Sequence, residues 1–207
     1  MPILNMVYWA TWGWGWRLPA GFQEVEYITS SGTQWINTNV SPSNTLSFEF
    51  AITPSGSNQS ENAILWDEWS ANAIFFMFYS NKYRFHNWWA AGVSVDWPTA
   101  QTGVKTSIVL DNTGMTIDGI LYPLTAGNSY ENNYKVALFW TWWGYQTNRR
   151  WAFSLRETVI KDNWTAVRDF VPCYRIADSV IGLYDLVNDV FYTNSGSGTF
   201  TKWNDVN

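Results

Sequence analysis

The sequence predicts an all-β domain, two antiparallel sheets packed as a jelly-roll sandwich, and three observations carry that expectation. Apolar residues recur at alternate positions in one short stretch after another, the period of half-buried strands. Turn pairs such as Asp118-Gly119 and Asn188-Asp189 separate those stretches. No long segment carries the 3.6-residue period of an amphipathic helix, which excludes alternating βαβ units. At 207 residues the chain has the length of one large β sandwich, of which the jelly roll is a common form.

Met1 to Arg17 reads as a leader or linker, because Trp9, Trp12, Trp14 and Trp16 alternate with small residues and no core pattern begins before Leu18. It has no Lys or Arg ahead of its apolar stretch and no small-residue cleavage site, so it does not read as a secretory signal. The domain is expected over residues 18–203, with 204–207 as a tail. Leu46, Phe48, Phe50 and Ile52 fall on one face of a strand, with Ser47, Glu49 and Ala51 on the other. Ile74 to Tyr79 is continuously apolar, as a strand covered on both faces would be, and Tyr83 and Phe85 alternate with charged neighbours beyond an Asn81-Lys82 joint. Val104 to Leu110, Met115 to Ile117 and Ile120 to Tyr122 form a meander around Asp111-Asn112-Thr113-Gly114 and Asp118-Gly119. Val136 to Phe139, Ala152 to Arg156, Val167 to Val171, Val180 to Leu186 and Val190 to Thr193 complete the series.

Two blocks go beyond generic β patterning. One runs Leu18-Pro19-Ala20-Gly21-Phe22-Gln23-Glu24-Val25-Glu26-Tyr27-Ile28, then Ser31-Gly32-Thr33-Gln34-Trp35-Ile36-Asn37-Thr38. The other runs from Val167 through Val171-Pro172-Cys173-Tyr174-Arg175, then Gly182-Leu183-Tyr184-Asp185, and closes with Gly196-Ser197-Gly198-Thr199-Phe200. Together they resemble the opening and closing of a concanavalin A-like or laminin G-like jelly-roll domain of phage tail-associated and gut bacterial surface proteins. The resemblance implies first and last strands lying side by side, a lectin-like role, and a virion-tail or extracellular setting. It identifies no ligand, since this sandwich also hosts glucanases and plain adhesion modules.

Composition narrows the function classes. A net charge of -5 gives no basic footprint for nucleic acid, and no apolar run approaches a membrane-spanning length. The single Cys173 cannot close an intrachain disulfide, and its Val-Pro-Cys-Tyr setting is that of a buried small apolar residue. His86 is the only histidine, it continues an alternating strand, and no nucleophile elbow accompanies it. One His and one Cys do not make a zinc site. Asp67 and Glu68 are adjacent, so on a strand they point to opposite faces, and no Glu-x-Asp-x-Glu arrangement of a glucanase is present. The chain is therefore expected to be non-catalytic and to need no cofactor. Calcium at Asp67, Glu68 or Asp96 is conceivable only through the laminin G-like resemblance, and nothing in their spacing demands it.

The expected ligand is a glycan or surface receptor. Sugars offer an apolar C–H face rimmed by hydroxyls, which aromatic faces together with Asn, Asp and Arg recognise. Three stretches mix these types, and the candidate binding residues are Trp66, Trp69, Trp88, Trp89, Trp142, Trp143, Asn148 and Arg149. The alternative is a display domain, oligomeric within a fibre, with no small ligand. Sixteen Trp against fourteen Gly is itself anomalous. Asn163-Trp164 stands where a tight turn and the resemblance call for Asn-Gly, and Trp203 also falls at an expected Gly. A second reading of the Trp-rich loops follows, in which UGA codons translated here as Trp are read as Gly in the native host.

Overall fold

The computed structural model describes residues 17–54, 62–66, 74–79, 82–87, 94–124, 135–139 and 153–207, with the description confined to the backbone at 62–66, 79, 86–87 and 94–98. Within them lie seventeen strands and no helix. The chain begins with three short strands, β1 (Phe22–Glu24), β2 (Ile28–Ser30) and β3 (Ile36–Asn37). The long β4 (Leu46–Pro54) follows, then β5 (Asn62–Trp66), β6 (Ile74–Tyr79), β7 (Lys82–Asn87) and β8 (Ser94–Thr99). The meander is β9 (Thr106–Asp111), β10 (Gly114–Ile117) and β11 (Ile120–Pro123), and the short β12 (Ala137–Leu138) comes next. Two long strands, β13 (Phe153–Asp162) and β14 (Thr165–Arg175), lead into β15 (Ile181–Asp185), β16 (Val190–Thr193) and β17 (Thr201–Lys202).

These strands build the two-sheet antiparallel jelly-roll sandwich that the periodicity predicts. The large sheet has eleven strands, in the order β11-β10-β9-β4-β13-β14-β15-β16 with β1, β2 and β17 joined at its side. The small sheet runs β3-β12-β5-β6-β7-β8. Opening and closing segments lie side by side: β17 pairs with β2, and Val25 bridges Asp205. Residues 204–207 are thus more than a tail, since Asn204 and Val206 exchange backbone hydrogen bonds with Glu26 and Glu24.

Alternation fixes the core. Phe48, Phe50 and Ile52 of β4, Ile108 and Leu110 of β9, and Leu155 and Ile160 of β13 point inward and are buried. Phe76, Phe78, Tyr83 and Phe85 of the small sheet meet them, with Phe50 and Phe76 edge to face at 5.5 Å. Tyr83 donates its hydroxyl to Thr106 Oγ1 at 2.9 Å, a polar tie across the two layers whose partner satisfies an otherwise buried donor.

Strands β13 and β14 are longer than the apolar runs suggest, because charged residues at their outward positions continue the ladder. Their hairpin closes across Asn163-Trp164, with Asp162 opposite Thr165 and φ of 46° and 68° at the two turn residues. Both central residues of a type I′ turn need positive φ, and Trp pays a steric cost there that Gly does not. The indole gains little in return, as Trp164 is 77% exposed.

Candidate functional site

Among the described residues the outward positions of β9, β4 and β13 share one open face. Val109 lies opposite Glu49, which lies opposite Val159, and Ser107 lies opposite Ala51. On β13 the register slips between Leu155 and Thr158, three residues facing the two-residue step from Ile52 to Phe50. Leu155 and Thr158 are both fully buried, so the extra residue of this bulge lets Arg156 and Glu157 both face outward. The result is a cleft of about 420 Å³. Ala51, Val109 and Val159 give it an apolar floor, and Glu26, Glu49, Lys105, Ser107, Arg156 and Glu157 give it a polar wall.

The carboxylates of this wall are engaged. Glu49 is ion-paired with Lys161, two positions along from Val159 on the same face of β13. Arg17 joins Glu24 to Glu157, the latter contact at 2.5 Å. The cations are less committed. Arg156 lies 3.9 Å from Glu26 Oε2, reaches Glu26 O only at 3.4 Å and stacks 5.0 Å above the Tyr27 ring, while its Nε is buried with no hydrogen-bond partner. Among the described residues Lys105 has no ion pair or hydrogen bond.

The same sheet face closes toward β14 and β15. Val171 and Cys173 of β14 and Tyr184 of β15 are buried beneath Leu18, and Phe22 packs 4.9 Å from both Tyr184 and Phe191. Burial pushes the Cys173 thiol up to about 12, so it stays protonated and inert, as its apolar setting predicts. Asp169, opposite Val159 in register, stands at the border between cleft and cover. Burial and then the neighbouring Glu157 raise its carboxyl above the usual range, against the pull of Arg17.

The candidate residues chosen from the Trp-rich loops are a different set. Trp66 ends β5, its backbone opposite Phe75 and Ala137. Trp69, Trp88, Trp89, Trp142, Trp143, Asn148 and Arg149 lie outside the described residues, as do Asp67 and Glu68. Asp96 lies on β8 opposite Arg84, and His86 on β7 opposite Phe75 and Ser94. Among the described residues no group of three His, Cys, Asp or Glu could hold a metal ion. Trp203 stacks on Tyr27 at 5.7 Å and 11°, beside the ring that Arg156 covers.

None of the residues lining the sheet-face cleft is among those the Trp-rich stretches suggest. One signal for it is in the sequence: Arg156-Glu157 places two charged residues in succession between Leu155 and Thr158, where strict alternation allows one.

No family model matches the chain, and no curated protein matches its sequence. Its fold is similar to that of a candidate carbohydrate-binding protein from Bacteroides ovatus, at 10% identity and a TM-score of 0.54, over 89% of this chain and 62% of that one. A Trypanosoma rangeli sialidase in complex with sialic acid aligns at 10% identity and a TM-score of 0.41, over 57% of this chain and 20% of the sialidase. The chain therefore spans about three fifths of the first protein's length and one fifth of the second's.

Proposed function

We propose that the chain is a non-catalytic, lectin-like module that holds a glycan in the cleft across β9, β4 and β13. The observation that carries this is the cleft's make-up: an apolar floor of Ala51, Val109 and Val159 inside a ring of charged and hydroxyl groups. A pyranose has the matching division, with C–H groups on its faces and hydroxyls at its edge. The carbohydrate-binding description of the Bacteroides ovatus protein supports the same reading. The phage-tail or cell-surface setting rests on the resemblance of the two sequence blocks.

Filling the floor tests it. Ala51→Trp and Val109→Trp point outward, so each is expected to leave the melting temperature close to that of the parent. Each should weaken binding of whichever glycan a printed array identifies by about tenfold or more, roughly 1.4 kcal/mol. An array with no positive spot, or binding untouched by both fillers, would overturn the proposal.

A hydrolase reading gains one observation, since Glu49 and Glu157 both line the cleft, where sequence spacing offered no carboxylate pair. Each is already the acceptor of a cation, Lys161 or Arg17, and the binding reading assigns them to shaping the wall. Release of reducing ends from the bound glycan, abolished by Glu157→Gln, would favour hydrolysis instead.

A further inference from the structure

We infer that the cleft selects glycans bearing an anionic substituent, a carboxylate or a sulfate, seated between Lys105 and Arg156; this rests on the glycan-binding reading above. The charges of the cleft are distributed unevenly along the strands. Thr106 of β9 and Leu155 of β13 both lie opposite Ile52 of β4; Lys105 precedes Thr106 and Arg156 follows Leu155, so the two cations flank β4 on either side of the Ile52 row. Glu49 lies beyond them, on the row of Val109 and Val159.

Commitment of the groups differs as much as their placement. Glu49 and Glu157 each hold a cation and Glu26 stands 3.9 Å from Arg156, whereas Lys105 has no partner among the described residues and Arg156 keeps a buried Nε–H unsatisfied. A guanidinium carries five N–H donors in a planar fork, and the single backbone contact of Arg156 is long. Nε itself is buried, so the guanidinium meets a ligand through the exposed part of its fork, for which a planar carboxylate or a sulfate is the fitting acceptor. The two cations stand two strand spacings apart across the sheet and about two residues apart along it, roughly 12 Å in all, with Ile52 and Ala51 on the strand between them. Long, flexible side chains close such a gap on one anionic group while a neutral sugar leaves it unbridged.

Isothermal titration of the whole chain with three probes tests this: a galacturonate trimer, 6-sulfo-N-acetyllactosamine and unmodified N-acetyllactosamine. The expected result is binding at least about tenfold tighter for one or both anionic probes than for the neutral one, weakening as salt rises. A carboxylate preference alone and a sulfate preference alone both support the inference and identify the group. Lys105→Met and Arg156→Gln should each erase that margin, weakening the anionic probes far more than the neutral one. Lys105 is exposed, so Lys105→Met remains informative if Arg156→Gln fails to fold. Equal affinity for all three probes, lost in Ala51→Trp, would overturn the anion preference and leave glycan binding standing. No binding of any probe, together with an empty array, would overturn both.

Discussion

On the outer face of the large sheet, among the described residues, the half built by β14, β15 and β16 is roofed, whereas the half built by β9, β4 and β13 lies open. Strand pairing is continuous across both, and alternation sends apolar side chains outward in each: Val171 and Cys173 on one side, Val109 and Val159 on the other. What separates them is a short stretch of distant chain. Leu18 and Phe22 settle over Cys173, Tyr184 and Phe191 and turn that half into a second small core. Among the described residues the cover over β13 reaches only to Arg17, whose guanidinium is tied to Glu24 and Glu157. Outward apolar residues thus belong to stability under the roof and are free for a ligand beyond it.

The largest effect that would break this comparison is a truncation on each side. Leu18→Ala should cost about 2 to 4 kcal/mol, the range for deleting a buried Leu side chain, while Val159→Ala in the open floor should cost less than about 1 kcal/mol. Urea unfolding of the two variants measures both. Equal losses would mean that the two halves are equally structural and that the cleft is no binding surface.

Much of the sandwich was legible in the sequence, and the reason is local. β4, β6, β9 and β16 carry period-two patterns or apolar runs long enough to be recognised alone. By contrast β1, β2, β3 and β17 are two or three residues each, and they exist because chain-distant ladders such as Glu24 with Cys173 and Thr201 with Thr29 hold them. The cleft was hidden for the same reason. Alternation says that Glu49 and Ala51 face away from the core, but not whether another segment covers them, and that depends on where Leu18 and Phe22 dock. Tryptophan drew attention to the loops because aromatic residues are conspicuous in composition. A floor of Ala and Val is not.

The hairpin joining β13 to β14 ties the open half to the roofed half, and its tip sharpens the comparison at a smaller scale. Trp164→Gly removes a bulky side chain from a positive-φ turn position while giving up an indole that buries little. A stabilisation of about 1 kcal/mol is expected from relief of that backbone strain. Loss of stability would show that the indole is held by contacts worth more than the turn, and would count against the reading of this codon as glycine. Peptide mass measurement of the native protein at positions 164 and 203 decides the codon directly.

The smallest effect concerns Asp169, on the line where roof gives way to cleft. Because its folded carboxyl sits above the ordinary aspartate value, the folded protein holds this proton more tightly than the unfolded chain does. Stability contributed by this group therefore falls as pH rises from the ordinary aspartate range through the raised folded value, and is recovered on acidification. Asp169→Asn removes that titration. The variant should be the more stable at neutral pH, on the scale of a surface substitution, about 0.5 kcal/mol, and the two proteins should converge once pH drops below the unfolded aspartate range. Thermal melts of both across that interval isolate the difference, since every other carboxyl titrates in each. If the parent were instead the more stable at neutral pH, the ionised Asp169 would be a working partner of Arg17, and the boundary between the two halves would be held by that ion pair rather than merely tolerated beside it.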